Sequence, residues 1–226
     1  MIPKNLFFVW FGNEIPKYVF NVINTFKFVN PDFDVKFIHK TVDQIENIYY
    51  KNIIKDEYDK ILTWHVKHSY NRIINEKKKM PFLMDLYDTF RFGLLCKYGG
   101  VFLDCDMFPV KPFDDDLLNC DFFKMKRIHY GKEYIEGGFC GCVKNSKLSR
   151  PKVVGCIRDT ELLTNDLKNK FFNCTLKYGE HYSSDTDGNY VEHYGNNTWN
   201  PKRCTMNKTK MDVEIECKIH NGINFI

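Results

Sequence analysis

The chain predicts an α/β fold with a mostly parallel central sheet and helices on both faces. The apolar run NLFFVWF (5–11) is followed by a helical apolar pattern and then by a second apolar run, VKFI (35–38). A long amphipathic stretch, PFLMDLYDTFRFGLLCKYGG (81–100), leads straight into VFLD (101–104). Strand, helix, strand in that order is the signature of parallel pairing, which needs a long crossover. At 226 residues, 43% hydrophobic and 16% aromatic, the chain is sized for one domain with a substantial core.

The elements follow in order. The first strand closes on Gly12, and Ile15-Pro16 restarts the chain. Val19, Val22, Ile23, Phe26 and Val29 then recur at helical spacing. NPDF (30–33) is a turn before the second strand. Residues 43–76 read as irregular helix. In the next helix Pro81 suits the first turn and Gly99 the C′ position. Asp114, Asp115 and Asp116 look like a helix N-terminus, where acids favour the dipole. DFFKM (121–125) and FCGCV (139–143) read as strands, 146–170 as one or two helices, and 171–210 as largely loop. MDVEIECKI (211–219) alternates as a half-buried strand.

Charge and cysteine usage narrow the class. The net charge is +4, too small to argue for nucleic acid. Nine scattered cysteines without a C-x-x-C suggest neither a disulfide framework nor a zinc site, so reduced thiols are expected. No apolar leader or ~20-residue apolar run is present. The expectation is a soluble, cytoplasmic protein without a transmembrane segment.

GGVFLDCDMFP (99–109) carries the chemistry. With 18 aspartates, chance alone gives about 1.4 D-x-D pairs. The chain has four, so context must choose among them. Asp32/Asp34 lie in a turn, Asp114/Asp116 at a helix start and Asp185/Asp187 in a polar stretch. Only Asp104 and Asp106 directly follow an apolar strand, where period two points both the same way. Two adjacent carboxylates need water or a cation, and hard oxygen ligands suit Mg²⁺ or Mn²⁺. Two solvated carboxylates at a strand end are the plain alternative. On the preceding helix, Asp88 and Arg91 interrupt the apolar stripe of Met84, Leu95 and Tyr98. An intrahelical ion pair is the ordinary reading at that spacing, and a polar pair aimed at sugar hydroxyls is the functional one.

IPKNLFFVWFG (2–12), NPDF (30–33), D-x-x-R…YGGVFLDCD (88–106) and KPF (111–113) together resemble DXD glycosyltransferases of GT-A (Rossmann-like) fold. The pattern is similar to the capsular-sugar and initiating-mannosyltransferase family and to the catalytic cores of large clostridial glucosylating toxins. HYGNNTW (193–199) resembles that family's closing His…Ser-Trp segment, with Thr198 in the serine position. Phe7 stands where the family often has histidine, and Phe102 where it often has tyrosine.

The resemblance implies one nucleotide-sugar-binding domain over 1–226, with 1–110 the nucleotide-binding half and 111–226 the acceptor-side half. It implies that Trp10, beside Val9, stacks on the base, and that Asp88 and Arg91 hold donor hydroxyls near Phe102. Asp104 would contact the ribose or a metal-bound water, Asp106 the metal (Mn²⁺ or Mg²⁺), and His193 would complete the metal shell. Thr198 and Trp199 would cover the pyrophosphate. The implied activity is retaining transfer of a hexose from a nucleotide sugar, UDP-glucose or a related UDP-hexose first and GDP-mannose second, to a glycan or protein hydroxyl. No carboxylate stands out as a nucleophile, so a front-face path is expected. Glu136 reads as an exposed loop residue rather than an acceptor-side one. A non-catalytic nucleotide-sugar-binding module and a two-metal nucleotidyltransferase are the rival classes.

Overall fold

The computed structural model describes residues 1–75, 82–129, 132–146, 169–173, 175–176 and 190–193. The chain begins β1 (Asn5–Phe11), α1 (Lys17–Val29), β2 (Asp34–Lys40), then α2 (Val42–Lys51), α3 (Glu57–Asn75) and α4 (Phe82–Tyr98). It continues through β3 (Gly100–Leu103), β4 (Met107–Pro109), α5 (Asp115–Leu118), β5 (Phe122–His129) and β6 (Lys132–Cys142). β7 (Asn169–Asn173), β8 (Thr175–Leu176) and β9 (Val191–His193) complete the described elements.

The main sheet has the order β2-β1-β3-β6-β5-β7. β1 runs parallel to β2 and β3, and β5 parallel to β7, while β6 is antiparallel to both neighbours. Strand alternation sorts its side chains into two cores. Leu6, Phe8, Val101 and Leu103 pack with Tyr18, Val22 and Phe26 of α1 on one face. Phe7, Val9 and Phe102 pack with Ile45, Leu62, Leu86 and Phe90 of α2–α4 on the other. Helices therefore cover both faces, as the sequence predicts.

Local chemistry explains the boundaries. Thr41 and Gln44 form a reciprocal capping box at the start of α2, and Asn52 ends that helix in the left-handed region (φ 55°). That break makes two helices of the irregular 43–76 stretch. Gly99 (φ 67°) returns its N–H to the Leu95 carbonyl at 2.8 Å, closing α4. Asp114 caps α5 by accepting from the Leu117 N–H at 3.0 Å. The NPDF and KPF motifs are joined: buried Asn30 accepts from the Phe113 N–H at 2.7 Å, and Phe113 packs on Phe26 and Phe33.

One expectation changes. The stretch 171–210 is not simply loop, since β7, β8 and β9 occupy parts of it. β8 and β9, of two and three residues, are too short to carry a periodic signal. A second sheet, β4-β9-β8, results. The stretches 147–168 and 211–219, with Pro81, lie outside the described residues, as do Thr198 and Trp199. No helix among the described residues is long and apolar enough to cross a membrane.

Candidate active site

β1 and β3 are parallel neighbours, with Phe7 level with Phe102. β3 stops one residue further on at Leu103 and β1 runs on to Phe11, so both end at the same edge of the sheet. Trp10 and the Asp104-Cys105-Asp106 motif therefore meet at the edge where open α/β sheets bind ligands.

The two aspartates do not extend β3. The strand stops at Leu103, and the Met107 N–H returns to the Asp104 carbonyl at 3.3 Å, making a turn of 104–107. Aspartate favours the first position of such a turn. Convergence of the carboxylates comes from this turn rather than from the period-two pleat expected. Cys105 is buried the other way, its thiol donating to the Val9 carbonyl at 3.3 Å. Burial, and then the charges of Asp104 and Asp106, push that thiol well above its ordinary value. It anchors the motif to β1 as a neutral group.

β9 supplies the third member. His193 lies opposite Met107 in the antiparallel β4–β9 pair, and its Nε2 is 3.2 Å from Asp106 Oδ1. Ligand atoms of Asp104, Asp106 and His193 all lie within 4.8 Å of one another. Two carboxylates and an imidazole on one small volume fit a divalent cation of the Mn²⁺ or Mg²⁺ kind.

α4 supplies a side-chain cation to the site. Arg91 is nearly buried and ion-pairs with Asp88, while its Nη1 stands 3.6 Å from Asp104 Oδ1. The guanidinium lies over the rings of Tyr87 (5.3 Å) and Phe102 (5.6 Å). The intrahelical ion pair exists, and it sits beside the DXD turn.

Trp10 is held edge-on. Its indole N–H donates to the Glu14 carbonyl at 2.7 Å, and His39, its neighbour across the β1–β2 pair, donates to the Gly12 carbonyl at 2.8 Å. Val9 and Phe102 are both buried in the α2–α4 core.

Three residues escape the sequence reading. Tyr87 donates its phenol to Asp104 Oδ1 at 2.8 Å. Gly137 and Gly138 fall where β6 bulges away from β5. A Cβ on Gly137 would stand 3.0 Å from Arg91 Nη1, and one on Gly138 would overlap Asp104 Oδ2. The signal available was the glycine pair inside a strand, which marks close approach of another group. Glu136 belongs to β6 rather than to a loop.

Residues 16–123 match the family described as a glycosyltransferase sugar-binding region containing a DXD motif. Compared with curated proteins by sequence, the chain has no significant match. Among solved structures it is similar to the PaToxG glycosyltransferase (18% identity, 66% of this chain and 57% of that one, TM-score 0.46). It is also similar to the catalytic domain of alpha-toxin from Clostridium novyi (12%, 67% and 56%, TM-score 0.39). The galactosyltransferase LgtC, solved with donor and acceptor sugar analogues, is a third (10%, 94% and 95%, TM-score 0.47). The chain spans less than two thirds of the first two. The DXD turn and the Asp88–Arg91 pair both fall inside the matched span, and over that span the chain is similar to the glycosyltransferase sugar-binding regions that contain a DXD motif.

Proposed function

We propose that the protein is a metal-dependent retaining glycosyltransferase that moves a hexose from a nucleotide sugar to an acceptor hydroxyl. The observation that carries this reading is the convergence of Asp104, Asp106 and His193 beside the Asp88–Arg91 pair. In it, 1–110 is the nucleotide-binding half and 111–226 the acceptor-side half of one domain. The donor we propose is UDP-glucose or a close UDP-hexose, with GDP-mannose second, on the strength of the sequence resemblance. Five described cysteines are free thiols, in keeping with a reducing, cytoplasmic setting.

Each residue has a stated task. Trp10, its edge pinned by Glu14, offers a ring face to the base. Asp88 accepts from donor-sugar hydroxyls, and Arg91 fixes the orientation of that carboxylate. Asp106 and His193, with Asp104, would hold Mn²⁺ or Mg²⁺. Such an ion, when bound, offsets negative charge on the departing nucleoside diphosphate as a Lewis acid. Transfer then breaks the bond from C1 to phosphate oxygen and forms one from C1 to the acceptor oxygen on the same face. The acceptor proton passes to the leaving phosphate. Asp88, Asp104 and Asp106 are each engaged by Arg91, Tyr87 or His193, which supports this front-face path over a covalent carboxylate intermediate. Rate enhancement comes from positioning and electrostatics.

The test is donor hydrolysis and melting-temperature shift across UDP- and GDP-sugars, each with Mn²⁺, Mg²⁺ or EDTA. A cation-dependent shift with slow release of one nucleoside diphosphate is expected. Tight binding that gives no turnover with any acceptor would instead identify a binding module. No shift with any donor would remove the reading.

A further inference from the structure

Tyr87 stands directly before Asp88 on α4, yet it serves the other half of the site. Its phenol donates to Asp104 Oδ1 at 2.8 Å. The ring that carries the hydroxyl is itself fixed. Its edge contacts are Phe102 at 5.6 Å and Phe11 at 6.3 Å, and the Arg91 guanidinium lies 5.3 Å from its centre.

Asp104 needs such a partner. It starts a turn rather than continuing a strand, and its backbone N–H is held by the Gly138 carbonyl at 2.8 Å. Oδ2 backs onto the bare Cα of Gly138. Oδ1 faces two donors, the Tyr87 phenol and, at 3.6 Å, Arg91 Nη1. The second distance is longer than a hydrogen bond. Arg91 is already paired with Asp88, so the phenol is the group that sets the plane of the Asp104 carboxylate. Remove it, and the nearest donor left to Oδ1 is Arg91. The carboxylate would then turn toward the guanidinium and away from Asp106 and His193.

We propose that Tyr87 is a positioning residue of the DXD site: its phenol holds Asp104 aligned with Asp106 and His193, and thereby sets the affinity for the divalent cation. The proposal rests on the metal reading above. It makes α4 carry two tasks on successive residues, orientation of a metal-site carboxylate by Tyr87 and recognition of donor hydroxyls by Asp88. Partners of this kind, one bond removed from the ligand, typically shift metal affinity by roughly ten- to a hundredfold.

The experiment is calorimetric titration of Mn²⁺ into the full chain and into its Tyr87→Phe and Asp106→Ala variants. Tyr87→Phe retains the ring and its packing, so a melting temperature close to wild type is expected. The expected result is Mn²⁺ binding weakened about tenfold, with donor turnover recovered in excess Mn²⁺. Wild-type affinity in Tyr87→Phe, with binding lost in Asp106→Ala, would overturn the role of Tyr87 and leave the metal site standing. No Mn²⁺ binding by the wild-type chain would overturn the metal reading and this proposal with it.

Discussion

Gly138 of β6 lies flush against Asp104: a Cβ on its backbone would overlap carboxylate oxygen Oδ2 and stand 2.8 Å from Met107 Cε. The site is therefore shaped by a missing side chain as much as by the charged ones. Gly138→Ala is expected to push Asp104 out of line, with Mn²⁺-dependent donor hydrolysis falling at least about a hundredfold. Overpacking of this kind costs about 1–3 kcal/mol, so the variant should still fold. Hydrolysis assays paired with thermal melts check both parts; wild-type activity in a folded variant would show that Asp104 has room to spare.

Arg91 ion-pairs with Asp88 and stands 3.6 Å from Asp104 Oδ1, and its planar fork can address both. Arg91→Lys keeps the charge and loses the fork. We expect a rise in donor KM of tenfold or more, on the order of 1.4 kcal/mol, together with loss of stability from an imperfectly paired buried ammonium. Steady-state kinetics against UDP-glucose, set beside urea unfolding, separates the two effects. If lysine supports the same KM, Arg91 acts only as a positive charge.

These two residues also mark how far the sequence could be read. Arg91 was legible because its pattern is local: Asp88 and Arg91 lie one turn apart on a helix whose ends the sequence marks, directly before a strand. β1, α1, β2, α4 and β3 were legible for the same reason. Tyr87 acts through a contact that no local pattern announces, and for Gly138 the only local sign was a glycine pair inside a strand. His193 meets Met107 through a three-residue strand 86 positions further along the chain. Pairing at that range is decided by tertiary packing, and only the family resemblance pointed to His193. The turn at 104–107 was missed because an apolar strand running into D-x-D reads as more strand.

His65 offers a test of the scaffold away from the site. It is buried between α3 and α4, where a Cβ on Gly93 would overlap its ring. Burial, and then His68, lower its pKa from 6.5 to about 4. The folded state thus refuses a proton that the unfolded chain accepts. Stability is unaffected above the unfolded value and falls as pH drops from 6.5 toward 4, by up to about 3 kcal/mol. Urea unfolding at pH 7, 5.5 and 4 should show this slope, and His65→Leu should flatten it. An unchanged slope in the variant would assign the acid sensitivity to other groups.

The last prediction concerns how a three-residue strand delivers His193. β9 is tied down just before it begins. The Tyr190 phenol donates to Asp114 Oδ1 at 2.6 Å, the Val110 N–H donates to the Tyr190 carbonyl at 2.9 Å, and Lys111 Nζ sits 4.0 Å over the Tyr190 ring. Burial raises the Asp114 pKa, but the bonds from Tyr190 and the Leu117 amide outweigh it and hold it below 3.8. The clip is intact above that value and weakens as pH falls below it. Asp114 also caps α5, so Asp114→Ala would confuse two roles. Tyr190→Phe removes only the phenol bond and keeps the ring under Lys111. With β9 less firmly docked, His193 spends less time beside Asp106, and Mn²⁺ affinity should fall severalfold while His193→Ala lowers it further. Calorimetric titration of the two single variants and the double variant checks the connection. If the clip acts through His193, Tyr190→Phe adds nothing in the His193→Ala background; fully additive losses would mean that it acts elsewhere.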